Sequence, residues 1–238
     1  YYCLAESLIS TPDQVTVEGY CFKGHCKILG IVDTKKVRGG TSFQSYLYPS
    51  QIPSSIREKV SEITKAVMRK TVLSHGPFNI EFFYNRQTQD VYILEINSRS
   101  SQSHSDLFYK VDGAPLLKAS VDLFLNKPPS FPHRSGAFGY AGKYFIRHFS
   151  DGFVKRVPDD KEIIMVKRFF PEANITIHVR EGEYLSEQAF QDSYSHVLAS
   201  LHIGGDDPFE LALKFEQIKE ILGFEIEEEK YYVRENTV

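Results

Sequence analysis

The sequence has no run of apolar residues long enough to cross a bilayer, and we expect no signal peptide. It also lacks a basic excess, with a formal net charge of −3, so nothing favours binding to a nucleic-acid backbone. Its three cysteines are an odd number, which argues against a disulfide framework and fits a reducing compartment. We therefore expect a cytoplasmic protein with no membrane and no nucleic-acid partner.

A structural zinc site is also excluded. Cys21, His25 and Cys26 lie close together, but a structural zinc needs four ligands at paired spacing and the second pair is missing. What remains is an ordinary globular composition: 238 residues, 42% of them hydrophobic and 25% charged. This length suits one large domain or two modest ones.

The stretch from Gly76 to Arg99 predicts a β-hairpin, because two apolar runs flank a polar loop at residues 85–90. If the loop folds symmetrically about residue 88, alternation places Glu81 opposite Glu95 and Asn79 opposite Asn97. Directly opposed side chains have Cβ atoms about 4.5–5.5 Å apart, and like charges at that distance repel.

Two interpretations of this pair of glutamates follow. A cation such as Mg²⁺ takes carboxylate, amide and phosphate oxygens as ligands, so Glu81, Glu95 and Asn97 are candidates for a metal site serving a phosphate ligand. The alternative is a solvated hairpin face whose glutamates are neutralised by Arg86 or Arg99.

The segment from Gly76 to Gly113 resembles the C-terminal half of an ATP-grasp fold. The likeness is carried by Phe-Asn-Ile-Glu at 78–81 and Leu-Glu-Ile-Asn-Ser-Arg at 94–99. It is most similar to the carboxylate–amine ligases, which join an acid to an amine through an acyl phosphate. The resemblance extends over roughly residues 1–128.

The resemblance implies roles for individual residues. In that family a first acid and the Glu and Asn of a Glu-x-Asn-x-Arg motif hold Mg²⁺, or Mn²⁺, against the phosphates of ATP. These roles fall on Glu81, Glu95 and Asn97. Arg99 is the implied catalytic contact to phosphate or to the reacting carboxylate. Asn79 is the second catalytic candidate, at a position where the family often has an arginine.

An upstream segment resembles the hinge that reads the adenine edge in this family. It covers residues 4–9, and the resemblance implies nucleotide-binding roles for Glu6, Ser7 and Ile9. Gln14 stands where many members have an acid that holds the ribose hydroxyls, and a glutamine can also hydrogen-bond a hydroxyl. The implied cofactors are ATP and Mg²⁺.

The chain enters directly on this hinge at Tyr1, without a Met. Enzymes of the family have a preceding lobe with phosphate-binding lysines and a Gly-rich loop. We therefore expect the chain to be the rear part of a longer protein, with that N-terminal lobe as an intramolecular partner. A homo-oligomer is compatible with the sequence.

We expect an α+β fold. Residues 1–128 are predicted to form the ATP-grasp C-terminal lobe, an antiparallel sheet with helices packed on one face. A helix is predicted from Ser54 to Leu73, capped by Ser54 or Ser55. It should pack on the hairpin's back face, whose predicted members are Phe78, Ile80, Phe82, Leu94 and Ile96.

Three prolines between residues 128 and 132 mark a boundary, since proline cannot continue a helix. Residues 129–238 are predicted to form a small β-rich α+β domain that closes one wall of the active site. In this part, a helix capped by Asp159 or Asp160 is predicted, and a last helix begins after the cap Asp207.

Three functions stay open from the sequence. The first is an ATP-dependent ligase that joins a small carboxylic acid to an amine or amino acid. The second is a catalytically inactive module that binds ATP and Mg²⁺ or acts as a scaffold. The third is a structural domain whose paired glutamates are only surface charges.

Overall fold

The computed structural model describes residues 3, 9, 13–188, 191–192 and 195–228. The strands are β1 (Asp13–Phe22), β2 (His25–Lys36), β3 (Phe43–Tyr48), β4 (Gly76–Tyr84), β5 (Val91–Asn97), β6 (Tyr140–His148), β7 (Phe153–Arg156), β8 (Asn174–Ile177), β9 (Gln191–Asp192), β10 (Ser195–Gly205) and β11 (Glu225–Glu227). The helices are α1 (Ser54–Lys70), α2 (Ser105–Asp112), α3 (Leu116–Phe124), α4 (Asp160–Phe169) and α5 (Pro208–Ile221). Within the described ranges, no helix is both long and apolar enough to span a bilayer.

One antiparallel sheet organises the molecule. Its strands follow the order β5-β4-β1-β2-β3-β6-β10-β8, with β9 paired to β10, while β7 and β11 form a separate two-stranded sheet. Because side chains alternate along each strand, the large sheet has two chemically different faces. We call the face that carries Glu81 and Glu95 the front face, and the opposite one the back face.

The back face of the first five strands is an apolar layer covered by α1. Ile56 and Val60 of the helix are fully buried against Val17, Ile80 and Phe82. This packing explains why the 3.6-residue periodicity of α1 and the two-residue periodicity of β4 coexist in adjacent segments: each buries its own apolar stripe against the other.

The predicted helix is confirmed, but its predicted cap is wrong. α1 begins at Ser54 after Pro53, and no side chain caps it. The Ser55 hydroxyl donates instead to Gln89 Oε1, at 2.6 Å, in the loop of the following hairpin. A serine near the start of a helix can bond either the helix backbone or a neighbouring segment, and here its partner is the hairpin loop.

Two residues predicted on the buried back face are exposed. Leu94 and Ile96 of β5 are 45% and 47% exposed. β5 is the edge strand of the sheet, so α1 covers its neighbour β4 more fully. In addition, the register shifts between Glu81 and Phe82, which face Glu95 and Ile93, so Leu94 is an extra residue in the ladder.

The second part of the chain extends the same sheet. β6 pairs with β3, so strands on either side of residue 128 belong to one sheet. α4 and α5 pack on its back face around Leu201 and Ile203. The predicted caps Asp159 and Asp207 are confirmed, each accepting backbone N–H groups of the first helical turn. The division of the chain at 128/129 stays a prediction.

The fold class is confirmed, but the helices occupy both faces of the sheet and not one. Leu107 and Phe108 of α2 pack with Val32 and Tyr48. Val32 neighbours Ile31, which faces α1, so α2 lies on the front. The front face is therefore covered at one end by α2 and α3, and left open at the end that carries Glu81.

The back-face core should dominate the stability of the hairpin. Replacing the fully buried Phe82 with Ala is expected to lower the free energy of unfolding by about 3–5 kcal/mol, because it leaves a cavity in a packed layer. Phe124→Ala is the matched control, since that ring is 89% exposed. Urea unfolding of both variants measures the difference, and equal losses would contradict this account of the core.

Candidate active site

The hairpin places the two glutamates face to face. Glu81 pairs directly with Glu95, and Asn79 with Asn97, as the alternation of the sequence predicts. Asn85 orders the loop, because its side-chain oxygen accepts the backbone N–H groups of Gln87 and Thr88 at 2.8 and 3.1 Å. The extra residue Leu94 then shifts the ladder by one position, and that shift brings Glu95 opposite Glu81.

The electrostatics of this pair are unfavourable in the protein alone. Burial raises the pKa of the Glu81 carboxyl, and the charge of Glu95 raises it further. His104, Arg99 and a hydrogen bond from Gln14 Nε2 at 2.8 Å act in the opposite direction. The net upward shift shows that an ionised Glu81 lacks full compensation, which is the situation that a bound cation relieves.

The alternative of simple neutralisation by arginine is not favoured. Arg86 bonds the Tyr84 hydroxyl at 3.1 Å and pairs with Asp13 at 3.5 Å. Arg99 influences Glu81 electrostatically, yet in the described part of the chain it forms no ion pair with Glu81 or Glu95. Neither predicted arginine therefore forms an ion pair with the glutamates among the described residues.

Two asparagines beside the glutamates form a clamp. Asn79 is 2% exposed, its Nδ2 donates to the backbone oxygen of Arg99 at 2.9 Å, and its Oδ1 accepts from Asn97 Nδ2 at 3.1 Å. The clamp orients Asn97 and ties the start of the following loop to β4. It leaves Asn97 Oδ1 as an acceptor without a protein partner among the described residues.

The residues present fit a hard divalent cation. Two carboxylates and one amide oxygen are donors that Mg²⁺ accepts, and the ion completes its shell with water or phosphate. In the described ranges, no group of three or more His, Cys, Asp and Glu side chains is arranged to hold a metal. A site built on these three residues therefore depends on ligands from outside the protein.

A buried Glu18–His104 pair, missed by the sequence reasoning, lies behind the site. His104 Nδ1 is 2.8 Å from Glu18 Oε1, and both side chains are almost fully buried. Glu18 Oε2 also accepts the Ser101 backbone N–H at 3.4 Å. The pair anchors the polar loop at residues 100–104 on the front face. An acid inside the apolar run Val-Thr-Val-Glu-Gly was the available signal.

An open cavity of about 1460 Å³ adjoins the glutamates. Its walls include Ile9 and Gln14, two of the predicted nucleotide contacts, together with Thr34 and Lys36. The other two predicted contacts, Glu6 and Ser7, lie outside the described residues. Glu81 and Glu95 do not line the cavity themselves. Gln14 connects the cavity with the glutamate pair, because it lines the cavity and its side chain donates to Glu81.

The cavity wall carries polar atoms without partners. Gln14 Oε1 and Thr34 Oγ1 are buried and make no hydrogen bond within the described residues. They face each other across paired strands. Lys36 lies 4.6 Å from the centroid of the Phe83 ring, and burial lowers the pKa of its ammonium group. Buried acceptors without donors indicate a site completed by a ligand.

Comparisons with known proteins agree with this geometry. Residues 46–128 match the family described as carbamoyl-phosphate synthase L chain, ATP binding domain. A curated relative, the carbamoyl phosphate synthase large chain of Clostridium acetobutylicum, is 28% identical over 100 residues. That match takes in 42% of this chain and only 9% of the relative.

Solved structures share the fold over nearly the whole chain. The L-amino acid ligase of Bacillus licheniformis has a TM-score of 0.66 at 16% identity, covering 90% of this chain and 52% of that one. The biotin carboxylase domain of the Hydrogenobacter thermophilus 2-oxoglutarate carboxylase, solved with MgADP and bicarbonate, has a TM-score of 0.63 at 14% identity. That match covers 93% of this chain and 48% of that one, so the chain spans about half of each structure.

Glu81 gives a test of the electrostatics. Its raised pKa means that the folded state keeps the proton to higher pH than the unfolded chain. Stability is therefore lost as the pH rises from about 4, the unfolded value, through the folded value. Without metal, Glu81→Gln should raise the melting temperature around neutral pH and have little effect around pH 4.

Added Mg²⁺ should reverse the order of the melting temperatures of the wild type and Glu81→Gln, because a ligand that binds only the folded state stabilises it. The ion is expected to raise the melting temperature of the wild type more than that of Glu81→Gln. Glu58→Gln, on the exposed surface of α1, is the control for losing one negative charge. A pH-independent difference, or an equal response to Mg²⁺, would count against the site.

Proposed function

We propose that the chain is part of an ATP-dependent ligase of the ATP-grasp superfamily, a proposal that its fold and the match over residues 46–128 support. The reaction that we propose joins a small carboxylic acid to an amine or amino acid and releases ADP and phosphate. The observation that carries the proposal is the direct pairing of Glu81 with Glu95 beside a cavity with unsatisfied polar walls.

In this proposal the cavity receives ATP. Gln14 Oε1 and Thr34 Oγ1 are buried acceptors that suit the hydroxyl groups of a ribose. Lys36 also lines the cavity, and its ammonium group suits a phosphate. Ile9, from the predicted hinge, supplies an apolar wall, while Glu6 and Ser7 stay predicted contacts to the adenine.

Glu81, Glu95 and Asn97 would hold Mg²⁺ against the phosphates. When bound, the ion neutralises phosphate charge and makes the terminal phosphorus more electrophilic. The protein itself contributes positioning: the carboxylates of Glu81 and Glu95 would set the position of the ion, and therefore that of the terminal phosphate. Asn79 keeps Asn97 and the Arg99 backbone in place, which assigns it a positioning role.

The proposed chemistry has two steps. A carboxylate oxygen of the acid attacks the terminal phosphorus, the bond to the bridging oxygen breaks, and ADP leaves. The amine then attacks the acyl carbon, and phosphate departs as the C–N bond forms. Arg99, exposed and free of a carboxylate partner in the described ranges, is proposed to balance the negative charge that develops in the first step.

Binding of Mg-ATP tests the proposal without a known substrate. Glu95→Gln removes one of the two proposed carboxylate ligands, and it should lower the affinity for Mg-ATP by about tenfold or more. Titration calorimetry measures the affinity, with Glu58→Gln as a control of equal charge change. Wild-type affinity in Glu95→Gln would reject the assignment of the metal site.

A second measurement separates a ligase from an inactive module. ADP release is followed while amino acids and small carboxylic acids are supplied in pairs, with the protein in its natural full length. Release that depends on both members of a pair supports the ligase. Tight Mg-ATP binding without such release would favour the catalytically inactive alternative. A cytoplasmic location and a homo-oligomer stay predictions.

A further inference from the structure

A second group of titratable side chains lies on the front face, several strands away from the glutamates. Lys143 of β6 pairs with Tyr46 of β3 on one side and with His202 of β10 on the other. His178, which follows β8, lies near enough for the Lys143 charge to act on it. We call Lys143, His178 and His202 the Lys143 cluster.

Lys143 differs from Lys110 and Lys214, which lie in the same part of the fold. Lys110 is 3.7 Å from Asp106 and also donates to the backbone oxygen of Glu172. Lys214 pairs with Glu172 at 3.1 Å and with Glu210 at 2.9 Å. Each of these two ammonium groups has a carboxylate.

Lys143 has no carboxylate partner among the described residues, although it is half-buried. Its Nζ donates to the neutral Ser103 hydroxyl at 3.1 Å and lies 5.1 Å from the centroid of the Phe145 ring. Burial lowers its pKa, and no anion offsets the effect. A half-buried charge without a counter-charge is unfavourable, and an anion bound beside it would relieve that cost.

The two histidines flank Lys143, and both rings already have protein partners. Burial and the charge of Lys143 lower the pKa of His178 and bring that of His202 to about 4. His202 makes a hydrogen bond with the Ser103 backbone, and His178 Nε2 lies 2.9 Å from Ser200 Oγ. The ammonium group of Lys143 is therefore the group in the cluster that suits the oxygens of a carboxylate or phosphate.

The loop that follows Arg99 connects the cluster with the candidate active site. Ser103 contacts Lys143, while the next residue, His104, is fixed to Glu18 and packs its ring 4.9 Å from that of Tyr46. Burial and the Glu81 charge together raise the pKa of Tyr46, which shows that this ring lies within the field of the metal site. The loop at residues 100–104 thus lies between the two groups.

We propose that Lys143 binds an anionic group of a co-substrate, either a carboxylate or a phosphate, that is not the group activated by ATP. The binding of an anion at Lys143 stands on the structure alone. Its assignment to a co-substrate rests on the proposed ligase function. On that assignment, one of the two joined molecules carries a second negative group.

Titration calorimetry with inorganic phosphate and with malonate tests the site, in EDTA so that no metal contributes. Lys143→Met keeps the apolar stem and removes the charge, and it should lower the affinity for the anion by about tenfold or more. Lys143→Arg should retain binding. Lys155→Met is the matched control, because that lysine is half exposed and pairs with Glu227.

The comparison of phosphate with malonate tells which anion the site prefers. If Lys143→Met does not fold, Lys143→Gln replaces it and should also weaken the binding of the anion, because it too removes the charge. Failure of both anions to bind the wild type, or equal binding to wild type and Lys143→Met, would overturn the proposal.

Mg-ATP affinity, measured on the same proteins, separates the two proposals. Lys143→Met is expected to bind Mg-ATP as the wild type does. A wild type that binds phosphate through Lys143 but no Mg-ATP would overturn the ligase proposal and leave the anion site standing. The reverse result, Mg-ATP binding with no Lys143-dependent anion, would leave the ligase proposal and remove this one.

Discussion

The repulsion between Glu81 and Glu95 is the constraint on which the front face depends. The hairpin loop and the α1 core hold the two strands in a register that the charges alone would oppose. Packing of the back face offsets that unfavourable contact. A cation between the carboxylates would relieve this repulsion, which is the physical basis of the proposed metal site.

Charge is separated along the front face. The end at β4 and β5 is negative, while the part at β6 and β10 carries an ammonium group without a carboxylate among the described residues. The loop after Arg99 spans the two parts, held by Asn79 at its start and by the Glu18–His104 pair further on. A cation with phosphates at one end and an anionic substituent at the other would complement this surface.

The errors of the sequence reasoning have physical causes. The Ser55 hydroxyl donates to Gln89 in the hairpin loop and does not cap its own helix, because the tertiary partner competes with the local cap. Leu94 and Ile96 alternate as buried residues should, but a bulge and an edge position expose them. The Lys143 site depends on Ser103, which is 40 residues away in the chain, so no local pattern indicates it.

The sequence by itself determined the hairpin and the pairing of Glu81 with Glu95 and of Asn79 with Asn97, although the structure reaches that pairing through a bulge at Leu94. It also determined the caps at Asp159 and Asp207, which are local contacts. Only the tertiary structure decided that strands on either side of residue 128 join in one sheet and that α2 covers part of its front. Those features depend on which strands become neighbours, and that choice is made by long-range burial of apolar surface and not by the pattern within any one strand.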